Sequence, residues 1–312
     1  MSGLPYCEII PLPNDQVSFR INGVEKTRWY FGSQYLRPFF FPINSSSGQS
    51  LTRMGHPGAP NHDHHQSVWF AHHRVLGIDF WANGLPQVRQ KEWFVYDDGE
   101  GVARMAVRLE WADGHDPSPL LHQELIVQIR SLPDSSYTLD LQSTFLPESE
   151  MIEFQKTNFG FLAVRVAKSI SVHFGDGVLT GASGATGEPN LFGQENIWMD
   201  YSGSLANYDE AGNQTKAISG ITYFDHPENP SHPTKWHVRE DGWMGASACF
   251  SGPLETTRDR PLKLRYLLHV HDGPVDPAAA NALFSEWQKL PWLEVVRSKR
   301  PHQHYELQSV NE

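Results

Sequence analysis

The chain has 312 residues and a formal net charge of −11, from 25 Lys and Arg against 36 Asp and Glu. This acidic balance disfavours binding to a phosphate backbone, so nucleic acid is not expected as a partner. No stretch approaches the roughly 18 apolar residues that span a bilayer, and the N-terminus lacks a signal pattern, so we expect a soluble, cytoplasmic protein without membrane contact. Two cysteines, Cys7 and Cys249, are too few for a disulfide framework.

Apolar residues that alternate with polar ones are the main pattern of the chain. In chain order, the alternation predicts strands at 17–21, 35–42, 67–72, 92–96, 105–111, 121–129, 137–145, 159–167, 195–201, 217–225, 244–250 and 262–271. The links on either side of 121–129 are rich in Asp, Pro and Ser, which form turns, so an antiparallel meander is expected there. The sequence therefore predicts an all-β protein, a large antiparallel β-sandwich in one domain over residues 1–312.

Three other segments complete the predicted organisation. The Gly- and Ser-rich segment 176–193 is the longest loop, and it is either a lid over a site or a mobile excursion. Residues 276–290 predict one C-terminal helix, with Asp276 as its N-cap and Pro277 at its first position. The tail from Ser298 onward is polar and is expected to fray.

Five histidines lie within residues 61–73, "NHDHHQSVWFAHH". If these residues continue into a strand, a period of two places His62 and His64 on one face. His65 and His73 then lie on the other face and support the turn and the sheet. The sequence therefore predicts His62 and His64 as one functional pair.

Two imidazoles at i and i+2 on one strand face could bind a metal together. A self-contained metal motif also needs a nearby carboxylate, and Val68 and Trp69 follow the histidines instead. A metal at His62 and His64 would therefore need a distant donor, for which the candidates are His226, His232 and Glu240. No cofactor is predicted, and this metal is kept as an alternative.

General acid–base catalysis is the second chemistry that histidines support, because their ordinary pKa lies near 6.5. Epimerisation, mutarotation and β-elimination of sugars each need a base and an acid on opposite sides of the substrate. The predicted catalytic residues are His62, His64, His226 and Glu240. The alternative is that the histidines only satisfy hydrogen bonds in a buried polar turn.

A second polar constellation lies in residues 223–245, "YFDHPENPSHPTKWHVREDGWMG", where three prolines predict an extended, rigid loop. Such loops beside a β-sandwich commonly build saccharide sites, in which Trp forms an apolar platform. The predicted substrate-binding residues are Arg37, Arg53, Trp69, Asn229, His232, Trp236 and Arg239. A proline-stiffened surface loop and ordinary ion-pairing arginines are the alternatives.

Several stretches resemble a bacterial family labelled PmoA-like, a label that looks like a misnomer for a methane oxygenase. The matching stretches include 37–53, 61–81, 157–167, 197–203, 220–245 and 262–273. The chain departs from the family at Asn61, Gln66 and Leu76, where members often carry Asp, Arg and Asn. The resemblance implies a fold similar to the galactose-mutarotase-like supersandwich and a carbohydrate-processing role.

The sequence as a whole predicts an enzyme that performs acid–base chemistry on a sugar or keto-sugar, as an epimerase, mutarotase or β-eliminating lyase. Its partner is a small saccharide, while its oligomeric state is left open. The alternatives are a non-catalytic carbohydrate-binding domain and a metal-dependent hydrolase or oxygenase. The enzymatic hypothesis requires residues 62–65 and 226–240 to share one pocket.

Overall fold

The computed structural model describes residues 6–208 and 214–310. Within these ranges the strands are β1 (Cys7–Leu12), β2 (Gln16–Ile21), β3 (Val24–Tyr30), β4 (Phe39–Phe40), β5 (Val68–His72), β6 (Gln87–Asp97), β7 (Val102–Ala112), β8 (Leu121–Ser131), β9 (Tyr137–Pro147), β10 (Met151–Phe154), β11 (Gly160–Arg165), β12 (Val178–Gly181), β13 (Trp198–Tyr208), β14 (Gln214–Asp225), β15 (Trp236–Arg239), β16 (Trp243–Ala246), β17 (Leu254–Thr257), β18 (Leu262–Asp272), β19 (Leu293–Arg297) and β20 (Tyr305–Ser309). The helices are α1 (Glu188–Leu191) and α2 (Pro277–Trp287), and short 3-10 turns span Pro60–His62 and Lys168–Ile170. Within the described ranges, no helix combines the length and apolar character needed to cross a membrane.

Two large antiparallel sheets form the body of the molecule. The first has the strand order β1-β2-β3-β4-β5-β11-β16-β15, and the second has the order β12-β13-β14-β18-β9-β8-β7-β6. Two smaller antiparallel pairs, β10 with β17 and β19 with β20, complete the strands. This arrangement confirms the predicted large antiparallel β-sandwich. The predicted single domain over 1–312 includes residues 1–5, 209–213 and 311–312, which lie outside the described residues.

The main hydrophobic core lies between the two large sheets. Val68 and Phe70 of β5 belong to the same buried cluster as Met105 and Val107 of β7. Because successive side chains of a strand point to opposite faces, Trp69 of β5 points away from this core. It belongs to a second, smaller cluster of aromatic and small residues. The first sheet therefore carries side chains suited to a site on its outer face.

Helix α2 covers part of the outer face of the second sheet. The Asp276 carboxylate accepts hydrogen bonds from the backbone N–H groups of Ala278 and Ala279, which confirms the predicted N-cap. The buried helix residues Ala280, Phe284 and Trp287 pack against Trp198, Phe224 and Leu267. The helix ends at Trp287 rather than at residue 290.

Segment 35–42 and the C-terminal tail also differ from the predicted elements. Only Phe39 and Phe40 of the predicted strand 35–42 pair with neighbouring strands, as β4. The tail after Ser298 does not simply fray, because it contains β20. Tyr305 and Leu307 of β20 pack against an apolar patch of the second sheet that includes Ile126, so their burial holds the tail in place.

Candidate active site

A row of outward-facing side chains crosses the first sheet and forms the base of the site. In register, Trp69 of β5 lies opposite Ala163 of β11, Ala163 opposite Gly245 of β16, and Gly245 opposite His237 of β15. The small residues at Ala163 and Gly245 leave space above the sheet. Aromatic rings from the neighbouring positions occupy part of that space.

The next row of the same face supplies charged and aromatic groups. Trp243 of β16 lies in register between Arg165 of β11 and Arg239 of β15. A cavity of about 690 Å³ opens above both rows, within the usual volume range of small-molecule sites. Its polar and aromatic lining residues are His56, Asn61, His62, His64, His65, His73, Asp79, Trp81, Phe159, Arg165, His173, Phe174, Glu188, His237, Arg239, Glu240, Asp241 and Trp243.

The histidine segment reaches this cavity as a turn and not as a strand, so the predicted split of its rings between two faces is wrong. Residues Pro60–His62 form a 3-10 turn, and Ser67 adopts a left-handed conformation with φ 61° before β5 begins. A period of two therefore does not apply here. His62, His64 and His65 gather instead, with ring centroids 4.5 to 5.8 Å apart.

Burial lowers the pKa of four histidines that line the cavity and so favours their neutral forms. Desolvation, reinforced by the nearby charge of Arg37, lowers the pKa of His64 to about 4. Burial also lowers the pKa of His65 to about 2 and that of His237 to about 4. The pKa of His62 shifts downward for the same reason, with the neighbouring His56 adding to the effect.

Hydrogen bonds fix which nitrogen carries the proton in two of these rings. His62 Nδ1 lies 3.1 Å from Asn61 Oδ1, and His237 Nδ1 lies 3.1 Å from the carbonyl oxygen of Asn158. A backbone carbonyl oxygen can only accept, so Nδ1 of His237 donates, and the orientation of the Asn61 amide gives His62 Nδ1 the same role. The neutral forms of His62 and His237 therefore carry an unprotonated Nε2, which can accept a proton.

A buried ion pair joins the sheet to the tip of the β15–β16 hairpin. Arg165, whose side chain is 1% exposed, donates two hydrogen bonds to Asp241, at 2.7 and 2.9 Å. His56 Nε2 contacts the same carboxylate at 2.9 Å. Burial alone would raise the pKa of Asp241, but the hydrogen bonds and charges of Arg165 and His56 lower it to about 2.

Helix α1 brings a carboxylate to the rim of the cavity from the predicted loop 176–193. Glu188 accepts a hydrogen bond from Arg239 Nη1 at 2.6 Å and another from the backbone N–H of Glu240 at 2.8 Å. Arg239 also lies over the Phe192 ring, 4.9 Å from its centroid. The segment therefore contributes to the site by holding Arg239 and the start of the hairpin turn.

Two of the predicted substrate-binding arginines lie behind the cavity. Arg37 is 1% exposed and donates to the backbone carbonyls of His64 and Ala82, at 3.3 and 2.8 Å. Arg53 donates to the carbonyl oxygen of Asp241 at 2.6 Å. Both hold the backbone of lining residues and are outside the cavity lining, because their guanidinium groups are turned into the protein.

Three other predicted site residues form a separate buried cluster. Asp225 accepts hydrogen bonds from Asn229 at 2.7 Å and from His232 at 2.9 Å. Asn229 also accepts from the backbone N–H of Arg265, while His226 packs against Trp287 of α2. These contacts tie the proline-rich loop to the second sheet and to α2. His226, Asn229 and His232 therefore do not line the cavity.

The two predicted tryptophan platforms are both buried. Trp236, at an even position of β15, points into the core and donates from Nε1 to the carbonyl oxygen of Asn196. Trp69 faces the cavity side but lies beneath other rings and is 1% exposed. Trp81 and Trp243 reach the lining instead. Of the predicted set, the structure brings together His62, His64, Arg239 and Glu240 around one cavity.

Sequence reasoning did not single out several lining residues. His56 precedes the histidine segment, and Arg165 is 76 positions from its partner Asp241. No local spacing signals a pair so distant in sequence. His237 and Trp243 do lie in the predicted constellation, and strand alternation within 236–246 is the signal that identifies them as outward-facing.

The predicted alternative of a metal at His62 and His64 requires further side-chain ligands near this pair. Within residues 6–208 and 214–310, no group of three or more His, Cys, Asp or Glu side chains is arranged to hold a metal ion. His62 and His64 lie close together, with ring centroids 5.8 Å apart. The structure therefore assigns no third ligand to this pair, and the metal alternative stays a hypothesis.

The fold and the site together define a large antiparallel β-sandwich with a histidine-lined cavity on the outer face of one sheet. The chain belongs to a protein family of unknown function, DUF6807, whose model matches residues 16–285. The PmoA-like label itself stays an expectation from the sequence. No curated protein matches the chain in sequence.

Two solved structures are similar over most of the chain. A GalM/aldose epimerase homologue from C. elegans is 7% identical, with 86% of this chain and 99% of that chain covered and a TM-score of 0.34. A 4-alpha-glucanotransferase from Thermococcus litoralis is 8% identical, with 86% of this chain covered and a TM-score of 0.31. This chain spans 39% of the glucanotransferase. Sequence identities and TM-scores this low identify neither an activity nor a substrate.

Proposed function

We propose that the protein is an enzyme that moves protons on a saccharide, as an epimerase, mutarotase or β-eliminating lyase. The cavity on the outer face of the first sheet is its active site. His62 and His64 exchange protons with the substrate, and Glu240 supplies a carboxyl group at the same cavity. Arg239 and Trp243 contribute to substrate binding.

The observation that carries this proposal is the set of neutral imidazoles around one cavity. His62 offers an unprotonated Nε2, because its Nδ1 donates to Asn61. The lowered pKa of His64, about 4, keeps this ring neutral at pH 7, so one of its nitrogens carries no proton. Glu240 lines the same cavity and adds a second kind of proton-exchanging group.

The aromatic lining supports a saccharide as the substrate. Trp81 and Trp243 approach each other with ring centroids 5.3 Å apart, and Phe159 lies 5.5 Å from Trp81. Apolar ring faces bind the C–H surface of a sugar, while polar groups beside them bind its hydroxyls. The cavity volume of about 690 Å³ also lies within the range of small-molecule sites.

Proton transfer is tested by incubating the protein with a panel of neutral aldoses, ketoses and disaccharides in D₂O. NMR then reports C–H deuteration for an epimerase, faster anomer exchange for a mutarotase, and an unsaturated product for a lyase. We expect His62→Gln and His64→Gln each to lower the observed rate by about 100-fold or more, because each removes a proton acceptor.

His115→Gln is the matched control, since His115 lies in an exposed loop outside the cavity. It should retain the wild-type rate. Wild-type rates in both cavity variants would contradict the proposed roles, and no turnover of any sugar by the wild-type protein would contradict the enzymatic function.

A non-catalytic carbohydrate-binding domain is the second candidate, and one observation favours it. The pKa of His65 is lowered to about 2 by burial, so this cavity ring stays neutral near pH 7 and can bind a hydroxyl without taking up a proton. If saccharides bind without turnover, and His64→Gln weakens only that binding, the protein is a binding domain.

A further inference from the structure

Three buried polar atoms at the base of the cavity have no hydrogen-bond partner among the described residues. They are His65 Nδ1, Trp69 Nε1 and Trp243 Nε1. The three residues, here called the floor cluster, are 7%, 1% and 3% exposed. Buried polar atoms in folded proteins are nearly always paired, so three neighbouring exceptions require an explanation.

The three rings of the floor cluster pack closely against one another. The His65 ring lies 5.1 Å from Trp243 and 5.7 Å from Trp69, and the two indoles are 5.4 Å apart, all measured between centroids. His65 and Trp243 also line the cavity. His65 and Trp243 therefore each bring an unpaired nitrogen to the wall of the cavity, while Trp69 lies beneath them.

The charges around the cavity disfavour an anionic ligand. Both lining arginines are already paired, Arg165 with Asp241 and Arg239 with Glu188. Glu240 adds a further carboxylate to the lining. A phosphate or carboxylate on the ligand would therefore meet a lining in which four carboxylates outnumber two arginines.

We infer that the floor cluster is a hydroxyl-binding subsite that selects an uncharged saccharide. A hydroxyl can donate to an imidazole nitrogen and accept from an indole N–H, so it satisfies both kinds of unpaired atom. An ionised phosphate or carboxylate only accepts. The inference rests on the proposed function in one respect, namely that the ligand is a saccharide.

The test compares binding of neutral and anionic probes to the full chain by calorimetry or saturation-transfer NMR. The neutral probes are glucose, galactose, maltose and lactose, and the anionic probes are glucuronate and glucose 6-phosphate. We expect a neutral probe to bind at least about tenfold more tightly than its anionic counterpart. Tighter binding of an anionic probe overturns the inference but leaves a saccharide function standing.

The second part of the test removes the imidazole nitrogens with His65→Phe, which keeps a flat ring between the indoles. We expect this variant to lose about tenfold or more in affinity for the best neutral probe, because a site built to bind a hydroxyl discriminates through its polar atoms. The matched control is His72→Phe. His72 is also a buried histidine with an unpaired Nε2, but it packs against Phe161 outside the cavity lining.

Monodeoxy analogues of the best neutral probe keep the inference testable even if His65→Phe fails to fold. In the wild-type protein, loss of one particular hydroxyl should reproduce the tenfold loss, and in His65→Phe the same deletion should have little further effect. Equal affinities across the deoxy series, or an unchanged affinity in His65→Phe, overturn the subsite. Binding of no probe, neutral or anionic, contradicts the proposed function itself.

Discussion

At the scale of single residues, hydrogen bonds and burial set the chemistry of the cavity. His62 and His237 each donate from Nδ1 to a nearby oxygen, so their Nε2 atoms are fixed as acceptors. His64 has no carboxylate partner among the described contacts, and burial near Arg37 lowers its pKa to about 4. Each of these three rings therefore lines the cavity with one nitrogen that carries no proton in the neutral form.

The Arg165–Asp241 pair predicts a loss of stability in Asp241→Asn. This change leaves the buried Arg165 guanidinium without its counter-charge, so we expect unfolding to become easier by about 2 to 3 kcal/mol at pH 7. Solvent screens part of the pair, since 30% of the Asp241 side chain is exposed. Urea denaturation measures the change, with the exposed Asp259→Asn as its control.

The pH dependence of stability tests the same pair. The pKa of Asp241 is about 2 in the folded protein, below its ordinary value of 3.8. Its contribution is therefore complete above pH 3.8 and declines as the pH falls toward 2. The difference in stability between wild type and Asp241→Asn should shrink over this window. A difference that stays constant from pH 5 to pH 2 would contradict the assigned ion pair.

Residue types predicted part of the site, and their spacing predicted less. The chemistry of His62, His64 and Glu240 predicts proton transfer and that of Arg239 predicts substrate binding, and the four residues do share a cavity. Their roles there stay predictions. His226 has the same chemistry, yet it packs beneath α2, because a residue type does not specify which face of a loop it occupies.

At the scale of elements, the turn of the β15–β16 hairpin places the charged residues Glu240 and Asp241 in the cavity lining. Arg239 pairs with Trp243, and the connection ends at Gly242 with φ +95°. Glycine adopts this conformation without strain, which lets the chain turn tightly after Asp241. The hairpin thus presents His237 and Arg239 from one strand and Trp243 from the other.

Gly242→Ala should destabilise the protein by about 1 to 3 kcal/mol, because an added Cβ is strained at this φ. It would also lie 2.8 Å from Val166 Cγ2. Chemical denaturation measures the effect. The matched control is Gly252→Ala, where an added Cβ meets no atom within 4 Å, and its stability should stay within about 0.5 kcal/mol of wild type. Equal stabilities of the two variants would contradict the role of Gly242.

Elements with clear alternation were predictable from the sequence, and irregular ones were not. The meander β7–β8–β9 has long alternating strands, whereas β4 contains two residues and depends on its neighbours for pairing. The histidine segment was predicted to extend a strand, but a 3-10 turn and the left-handed Ser67 interrupt it. Such turns are stabilised by tertiary contacts, including the hydrogen bond from Ser67 to Thr52.

At the scale of the whole molecule, the hydrophobic core and the candidate active site lie on opposite faces of the first sheet. The inner faces of both large sheets form the main core, while the outer face of the first sheet carries the floor cluster. Helix α2 and the β19–β20 pair pack on the second sheet. Residues 62–65 and 237–243 meet because β5, β11, β16 and β15 are adjacent in the first sheet. This adjacency joins strands distant in sequence, so alternation alone could not reveal it.

The central claim is that the neutral histidines of this cavity bind and process an uncharged saccharide. The most direct measurement is NMR of a chain labelled at the histidine ring carbons, titrated with the best neutral sugar of the panel, with His→Gln variants to assign signals. We expect the His64 and His65 signals to show neutral rings from pH 6 to pH 8, and the His62, His64 and His65 signals to shift when the sugar is added. Shifts confined to His226 and His232, or His64 and His65 rings that titrate within this pH range, would contradict the claim.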